Sequence, residues 1–266
     1  MKMTSEQLAK KIRKKVIELS YLAQTAHLGS SLSCVDIISV IFHSYLNITK
    51  SYLLNNYRDR FILSKGHAAT TLYSAMFYTN IISKSKIQSY CKVGSELEEH
   101  PSIKLKGVEV ATGSLGHGLS VGCGIAQGLK IKKKKSKVFV LLSDGECNEG
   151  SVWESFLYAY KNNLNNLIAF IDYNKWQATG KSDEVLSLPS LDRKIKAFNW
   201  RCLNINGHNH KQIKFAILKA YKSNRPTMII CNTVKGKGIH FMENDNNWHY
   251  KSPSKKEYLE AMKILK

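Results

Sequence analysis

The 266-residue sequence lacks features that mark several classes of protein. Its six cysteines are scattered without a Cys-x-x-Cys pair, which favours reduced thiols over a disulfide framework. No apolar run approaches the roughly 20 residues that span a bilayer, so we expect no membrane segment. The N-terminus has no apolar core of the kind found in signal peptides. Together these absences predict a cytoplasmic protein.

Acidic residues are also scarce, since 20 Asp and Glu stand against 40 Lys and Arg and give a net charge of +20. Such a field attracts phosphorylated metabolites, an acidic partner chain or nucleic acid. The densest basic run, residues 130–137, contains none of the aromatic residues that stack on single-stranded nucleic acid. A solvated connecting loop is the simpler interpretation, and a non-catalytic nucleic-acid-binding protein stays as one alternative.

Apolar runs of strand length alternate with helical patterns along the chain. Strands are predicted at residues 59–64, 138–142, 167–171, 200–205 and 226–231, and helices at 4–22, 33–42, 68–78, 119–129, 149–160, 210–222 and 254–265. We expect a Gly/Ser loop at residues 26–31 and irregular chain at 92–113. This alternation predicts an α/β fold with a single doubly wound, mainly parallel sheet flanked by helices, as one domain over residues 1–266.

Two polar residues follow neighbouring predicted strands. Asp144-Gly145 ends the strand at 138–142, and Asn174 follows the strand at 167–171. A crossover helix would make these strands parallel and adjacent, and open α/β sheets bind ligands at the carboxyl edge. A carboxylate and an amide oxygen that meet there suit Mg²⁺ holding a diphosphate.

A glycine-rich segment at residues 113–118 precedes the helix at 119–129. Closely spaced glycines let a backbone approach a ligand and direct N–H groups at it, although they also serve tight helix packing. The dinucleotide-binding fingerprint does not fit, because that motif would follow a strand directly.

Five histidines lie in predicted loops or at element ends: His27, His67, His100, His117 and His249. Imidazole is the usual proton carrier near neutral pH, so the group indicates a reaction site. A zinc site is a weaker alternative, because none of the five shows paired ligand spacing.

These motifs, in this order, resemble the N-terminal section of transketolase, a thiamine diphosphate enzyme. The resemblance covers nearly the whole chain and rests on residues 26–30, 59–67, 100–101, 107–118, 144–150, 174–180 and 235–238, and on His249. It implies the diphosphate-binding domain of the thiamine diphosphate-binding fold.

The resemblance also implies roles for individual residues. Mg²⁺, or Ca²⁺ or Mn²⁺ in its place, would be held by Asp144, Asn174 and the Trp176 carbonyl. Catalytic roles fall to His27, His67, His100 and His249. Cofactor-binding roles fall to His67, Gly113, Ser114, Leu115, Gly116, His117, Gly145, Glu146, Asn174 and His249. Glu149 matches an acidic residue at the family's subunit interface.

The implied reaction is transfer of a two-carbon ketol unit from a ketose, or its phosphate, to an aldose or its phosphate. The chain has nothing equivalent to the family's pyrimidine-binding domain, so it resembles the first subunit of a split transketolase. We therefore expect a C-terminal-type partner subunit, an α2β2 assembly and no activity from this chain alone.

The sequence departs from the family pattern at Ser143, Ala178 and Tyr250. The last two keep an alternative open, in which the same cofactor serves a two-carbon transfer or a decarboxylation in a specialised biosynthetic pathway.

Overall fold

The structure is a computed structural model that describes residues 3–46 and 52–266, so the first two residues of the N-terminus considered above lie outside it. Five strands form one sheet. They are β1 (Arg60–Leu63), β2 (Val138–Ser143), β3 (Leu167–Tyr173), β4 (Arg201–Asn206) and β5 (Thr227–Asn232). Each lies within two residues of a predicted strand.

The strand order in the sheet is β1-β2-β3-β5-β4, and all four neighbouring pairs are parallel. The predicted adjacency of β2 and β3 is confirmed, with Ser143 opposite Asp172 at the end of the ladder. Because the strands are parallel, their carboxyl ends meet at one edge of the sheet, where α/β proteins bind ligands. The mainly parallel α/β prediction is confirmed.

Helices cover both faces of the sheet. Within the described residues they are α1 (Ser5–Ala23), α2 (Leu28–Ser33), α3 (Val35–Ser44), α4 (Ala69–Tyr78), α5 (Lys84–Ile87), α6 (His117–Ile131), α7 (Gly150–Lys161), α8 (Ser182–Leu186), α9 (Leu191–Ala197), α10 (His210–Tyr221) and α11 (Lys255–Ile264). None of these helices has the length and apolar character needed to cross a membrane. The short helices α5, α8 and α9 were not predicted.

The predicted loop at residues 26–31 is wrong, because most of it belongs to α2. This helix is buried, and its small residues suit an interior position instead of a surface turn. A side-chain Cβ on Gly29 would lie 3.1 Å from Lys235 Cγ, so the helix packs closely on the chain after β5. Ser33 Oγ lies 2.9 Å from the Ser30 carbonyl and 2.5 Å from Asp172 Oδ2, and the carboxylate is the stronger acceptor for its single proton.

The hydrophobic core has two layers, one on each face of the sheet. Phe139, Leu141 and Phe170 pack with apolar residues of α1, α3, α4 and α10. Val140 and Leu142, the alternate residues of β2, pack on the opposite face with α6, α7 and α9. Successive strand residues point to opposite faces, so a strand buried on both sides reads as one continuous apolar run.

The basic run at residues 130–137 connects α6 to β2, as predicted. Part of its charge has partners within the chain. Lys130 Nζ donates to the carbonyls of Asn162 and Asn163 at 2.9 and 2.8 Å, beyond the end of α7. Lys134 Nζ lies 4.1 Å from the centre of the Tyr57 ring. These contacts anchor the connection to neighbouring elements.

A buried ionic cluster ties the sheet edge to the first layer of helices. Asp36 of α3 accepts from Arg13 of α1 at 3.0 and 2.5 Å, from His208 at 2.8 Å and from His210 at 3.0 Å. His208 Nε2 accepts the Val234 N–H at 2.9 Å, which fixes the chain after β5. Burial alone would raise the pKa of Asp36, but these partners hold it well below its usual value.

We expect Asp36→Asn to lower the free energy of unfolding by about 3 kcal/mol, because it leaves buried cationic and imidazole groups without their carboxylate. The contribution of Asp36 is present above its unfolded pKa of about 4 and is lost as the pH falls below that value. The gap between wild type and variant should therefore narrow at acidic pH. Urea unfolding at pH 7 and pH 3 measures this difference in the free energy of unfolding between wild type and variant.

The matched control is Asp192→Asn, which removes an exposed ion pair with Lys196 on α9. Exposed pairs contribute little, so this variant should unfold like wild type. Equal stability of the Asp36→Asn variant and wild type at pH 7 would contradict the role given to the cluster.

Candidate active site

The strand-end pair lies where the sequence places it. Asp144 directly follows β2, and its Oδ2 accepts from the Lys175 N–H and the Ser182 hydroxyl, each at 2.8 Å. Its Oδ1 is buried and meets no hydrogen-bond donor among the described residues. Burial raises the pKa of Asp144 to about 6. A buried carboxylate oxygen without a partner is costly unless a cation completes its surroundings.

Asn174 lies beyond β3, beside Asp144. Its Oδ1 accepts the Trp176 N–H at 2.9 Å, and its Nδ2 lies within hydrogen-bond distance of Ser33 Oγ and Asp172 Oδ2, at 3.3 and 3.4 Å. These contacts direct the amide oxygen toward the turn that carries Trp176. The donor set predicted for Mg²⁺ is therefore brought together at one edge of the sheet.

This set of oxygen donors suits a hard cation, because carboxylate, amide and carbonyl oxygens are the ligands Mg²⁺ prefers. Over residues 3–46 and 52–266, no three His, Cys, Asp or Glu side chains come together as a metal-binding group. The zinc alternative therefore gains no support from the described geometry.

A buried ion pair underlies this edge. Lys65 Nζ lies 2.5 Å from Asp172 Oδ2, and neither side chain is exposed to solvent. Burial alone would lower the pKa of Lys65, but the Asp172 carboxylate overcomes that effect and the pKa is raised. Asp172 also accepts from the hydroxyls of Ser33 and Thr233, both at 2.5 Å. Neither Lys65 nor Asp172 has a role predicted from the sequence, although a charged residue that ends an apolar strand is a usable signal.

Four of the five loop histidines come together. The His27 ring lies 5.6 Å from those of His67 and His100 and 5.1 Å from that of His249, between ring centres. His67 and His249 lie 5.8 Å apart. His117 does not join them, because it is exposed at the start of α6.

Three of the clustered imidazoles, those of His27, His67 and His249, are neutral at physiological pH. Burial lowers the pKa of His67, and Lys65 lowers it further. Burial also lowers the pKa of His27 and outweighs the opposing effect of the Glu99 carboxylate. Burial and then Lys235 lower the pKa of His249 to about 3. Neutral imidazoles can accept a hydrogen bond at one nitrogen and donate one at the other, which suits hydroxyl and carbonyl groups of a substrate.

Lys235 is a second buried cation that sequence reasoning missed. Its Nζ donates to Asn246 Oδ1 at 2.5 Å and lies 3.2 Å from His249 Nδ1. Burial and then Lys65 lower its pKa to about 8. Because Lys235 donates to Nδ1, the ring proton of neutral His249 resides on Nε2.

The glycine-rich loop packs against both the histidines and the region after β2. Gly113 and Gly116 have φ of +141° and +87°, and a Cβ on them would lie 2.7 Å from His100 Cδ2 and 2.6 Å from Glu149 Cβ respectively. Only glycine fits both positions. Between them, Ser114 is exposed and Leu115 half-buried.

Glu146 and Gly145 also lie at this edge. The Glu146 carboxylate accepts from Ser64 Oγ at 2.5 Å, from the Gly116 N–H at 2.8 Å and from the Ser143 N–H at 3.3 Å. This carboxylate positions the glycine-rich loop, so a contact of Glu146 with the cofactor would use its backbone. A Cβ on Gly145 would lie 2.9 Å from Gln177 Cγ.

Comparison with known proteins agrees with this geometry. Residues 4–265 match the family described as transketolase, thiamine diphosphate binding domain. One subunit of the apulose-4-phosphate transketolase of Phocaeicola vulgatus is 36% identical over 261 residues, which are 98% of this chain and 93% of that protein. Human transketolase-like protein 2 is 37% identical over 256 residues, which are 96% of this chain and 41% of that protein.

A crystal structure of transketolase from Campylobacter jejuni superimposes with a TM-score of 0.87 at 25% identity, covering 98% of this chain and 42% of that one. The chain thus spans about two fifths of these two longer proteins and nearly all of the Phocaeicola vulgatus relative. It belongs to the transketolase family of transferases, as the N-terminal, thiamine diphosphate-binding section.

Proposed function

We propose that this chain is the diphosphate-binding subunit of a two-chain transketolase, which moves a two-carbon ketol unit from a ketose phosphate to an aldose phosphate. The observation that carries the proposal is a juxtaposition at one sheet edge. There, the unpartnered Asp144 oxygen and the Asn174 amide lie at the same edge of the sheet as the cluster of four imidazoles.

Asp144, Asn174 and the Trp176 carbonyl would hold a divalent cation, with Mg²⁺ as the natural occupant. The orphaned Asp144 oxygen supports this assignment, because a cation would offset the desolvation that raises the pKa of its carboxyl group. Buried Lys65 and Lys235 add positive charge nearby, which suits a diphosphate.

Thiamine diphosphate, when bound, supplies the electron sink for cleavage of the carbon–carbon bond beside the donor carbonyl. The protein's part is to bind, orient and exchange protons. Gly113 and Gly116, with Ser114, Leu115 and His117 alongside them, let the backbone approach the cofactor closely. Gly145 and Glu146 would contact it through their backbone groups.

The imidazoles of His27, His67, His100 and His249 surround the expected position of the reacting carbonyl. Neutral rings can donate to a carbonyl oxygen as its charge develops and can move protons to and from hydroxyls. The Nε2–H of His249, set by Lys235, is one such donor.

A partner chain of the C-terminal type, with a pyrimidine-binding domain, would complete the site in an α2β2 assembly. The chain covers nearly all of a relative that is itself named as one subunit of a transketolase, which supports this division. The net charge of +20 suits an acidic partner face or phosphorylated substrates. The six free cysteines suit the reducing cytoplasm.

We expect the purified chain alone to give no ketol transfer, because in this proposal the partner chain supplies the other half of the cofactor site. Mixing it with a pyrimidine-domain chain should produce activity that saturates at a fixed ratio of the two. A coupled assay with ketose and aldose phosphates measures this. Full activity from the lone chain would refute the two-chain proposal.

Asp144→Asn should abolish Mg²⁺-dependent binding of thiamine diphosphate by the assembled complex, because it removes the charge that the cation requires. Isothermal titration calorimetry with and without Mg²⁺ measures it. The control is Asp183→Asn. Asp183 is an exposed residue of α8 that lines the same surface depression as Asp144. Metal-dependent binding that is equal in both variants would overturn the ligand assignment.

Gly116→Ala should weaken cofactor binding, because the added methyl group would force the loop away from Glu149 and strain a backbone with φ of +87°. Gly124→Ala on α6 is the matched control, since a Cβ there has no described atom within 4 Å apart from its chain neighbours and the backbone of its own helix. It should leave affinity unchanged and stabilise the helix slightly. Equal affinities for the two variants, measured by the same calorimetry, would show that the close approach is unnecessary.

A further inference from the structure

Glu99, a residue outside the proposed cofactor-binding and catalytic set, contacts His27 at the centre of the histidine cluster. It lies beside His100 in the irregular chain between α5 and α6. Its Oε1 lies 3.3 Å from His27 Nδ1 and accepts the Ala26 N–H at 3.1 Å. One carboxylate oxygen therefore contacts both the His27 ring and the backbone just before it.

His27 is the ring that touches the three other clustered imidazoles, and its backbone is unusual. Its φ is +64°, in the left-handed region that residues other than glycine seldom adopt. Its N–H donates to the His249 carbonyl at 2.8 Å. A strained residue at the middle of a reaction site has to be held by its surroundings.

The two nitrogens of His27 differ in what they face. Nδ1 is buried and has no well-aligned hydrogen bond within residues 3–46 and 52–266, and a Glu99 carboxylate oxygen lies 3.3 Å from it. Such contacts are often long in the free protein and shorten when substrate arrives. A carboxylate can only accept, so it selects the ring form with the proton on Nδ1.

The opposite holds for His249. Its Nδ1 faces the Lys235 ammonium at 3.2 Å, so the proton resides on Nε2. The two rings lie 5.1 Å apart, and their remaining nitrogens have complementary character. The Nε2 of His27 accepts and the Nε2 of His249 donates. The ketol end of a sugar offers a hydroxyl to donate and a carbonyl to accept.

We propose that Glu99 is a positioning residue that fixes the His27 ring with its proton on Nδ1, so that Nε2 accepts from a hydroxyl at the ketol end of the donor sugar. This rests on the proposed function for the identity of the ligand. The tautomer assignment itself concerns this chain alone.

Glu99→Gln tests the assignment, because glutamine keeps an acceptor for the Ala26 N–H and removes the charge. The matched control is Glu98→Gln, which alters an exposed neighbour paired with Lys104 at 2.9 Å. Both variants should keep the circular dichroism spectrum and melting temperature of wild type, so that the comparison is made on folded protein.

Two-bond ¹H–¹⁵N correlation spectra of the ¹⁵N-labelled chain report which ring nitrogen is protonated, and a His27→Gln variant assigns the signals. In wild type and in Glu98→Gln, His27 should be the Nδ1–H form. In Glu99→Gln the Nε2–H form should become substantially populated. An Nε2–H ring in wild type, or no change in Glu99→Gln, would overturn the proposal.

In the complex with its partner, Glu99→Gln should lower kcat/KM for the ketose donor about fivefold, the effect of one hydrogen bond. Glu98→Gln should leave it unchanged. If the spectra show the expected tautomers and the complex has no ketol transfer, the proposed function fails while the role of Glu99 on His27 stands. An unchanged kcat/KM of Glu99→Gln in an active complex would contradict the claim that His27 Nε2 accepts from a hydroxyl of the donor sugar.

Discussion

The ion pair between Lys65 and Asp172 holds together the edge of the sheet on which the site is built. It joins the chain after β1 to the end of β3, although the two residues are 107 positions apart. The remaining contacts of Asp172 bring in Ser33 of α2 and Thr233 after β5. A buried pair adds little net stability but fixes geometry when all its groups are hydrogen-bonded. The same carboxylate also orients Asn174, two residues further on, whose Nδ2 lies within hydrogen-bond distance of Asp172 Oδ2.

The pair also sets the electrostatics of the site. Burial lowers the pKa of His67 and His249, and Lys65 lowers both further, so these two rings stay neutral and can both donate and accept. Asp144 faces inward with one oxygen unsatisfied within the described chain. Two buried ammonium groups and one unpartnered carboxylate oxygen are already in place at this edge. A diphosphate and its divalent cation would therefore bind there with little rearrangement of the protein.

The sheet and the strand-end pair could be predicted because strands buried on both faces leave a continuous apolar run that ends in polar residues. The helix α2 could not, since its Gly and Ser residues resemble a loop until their burial is known. The meeting of His27 with His249 came from family resemblance, because no local spacing relates residues so far apart. The roles of Lys65, Asp172 and Glu99 could not be predicted, because they depend on contacts made only in the folded chain.

The proposed function requires the ends of β2 and β3 to hold a metal and a diphosphate together. Anomalous diffraction at the manganese absorption edge, from crystals of the complex grown with Mn²⁺ and thiamine diphosphate, tests it directly. We predict one anomalous peak at metal–ligand distance, about 2.2 Å, from Asp144 Oδ1 and the Asn174 amide oxygen. A peak at the histidine cluster, or none at this edge with the cofactor bound, would contradict the account.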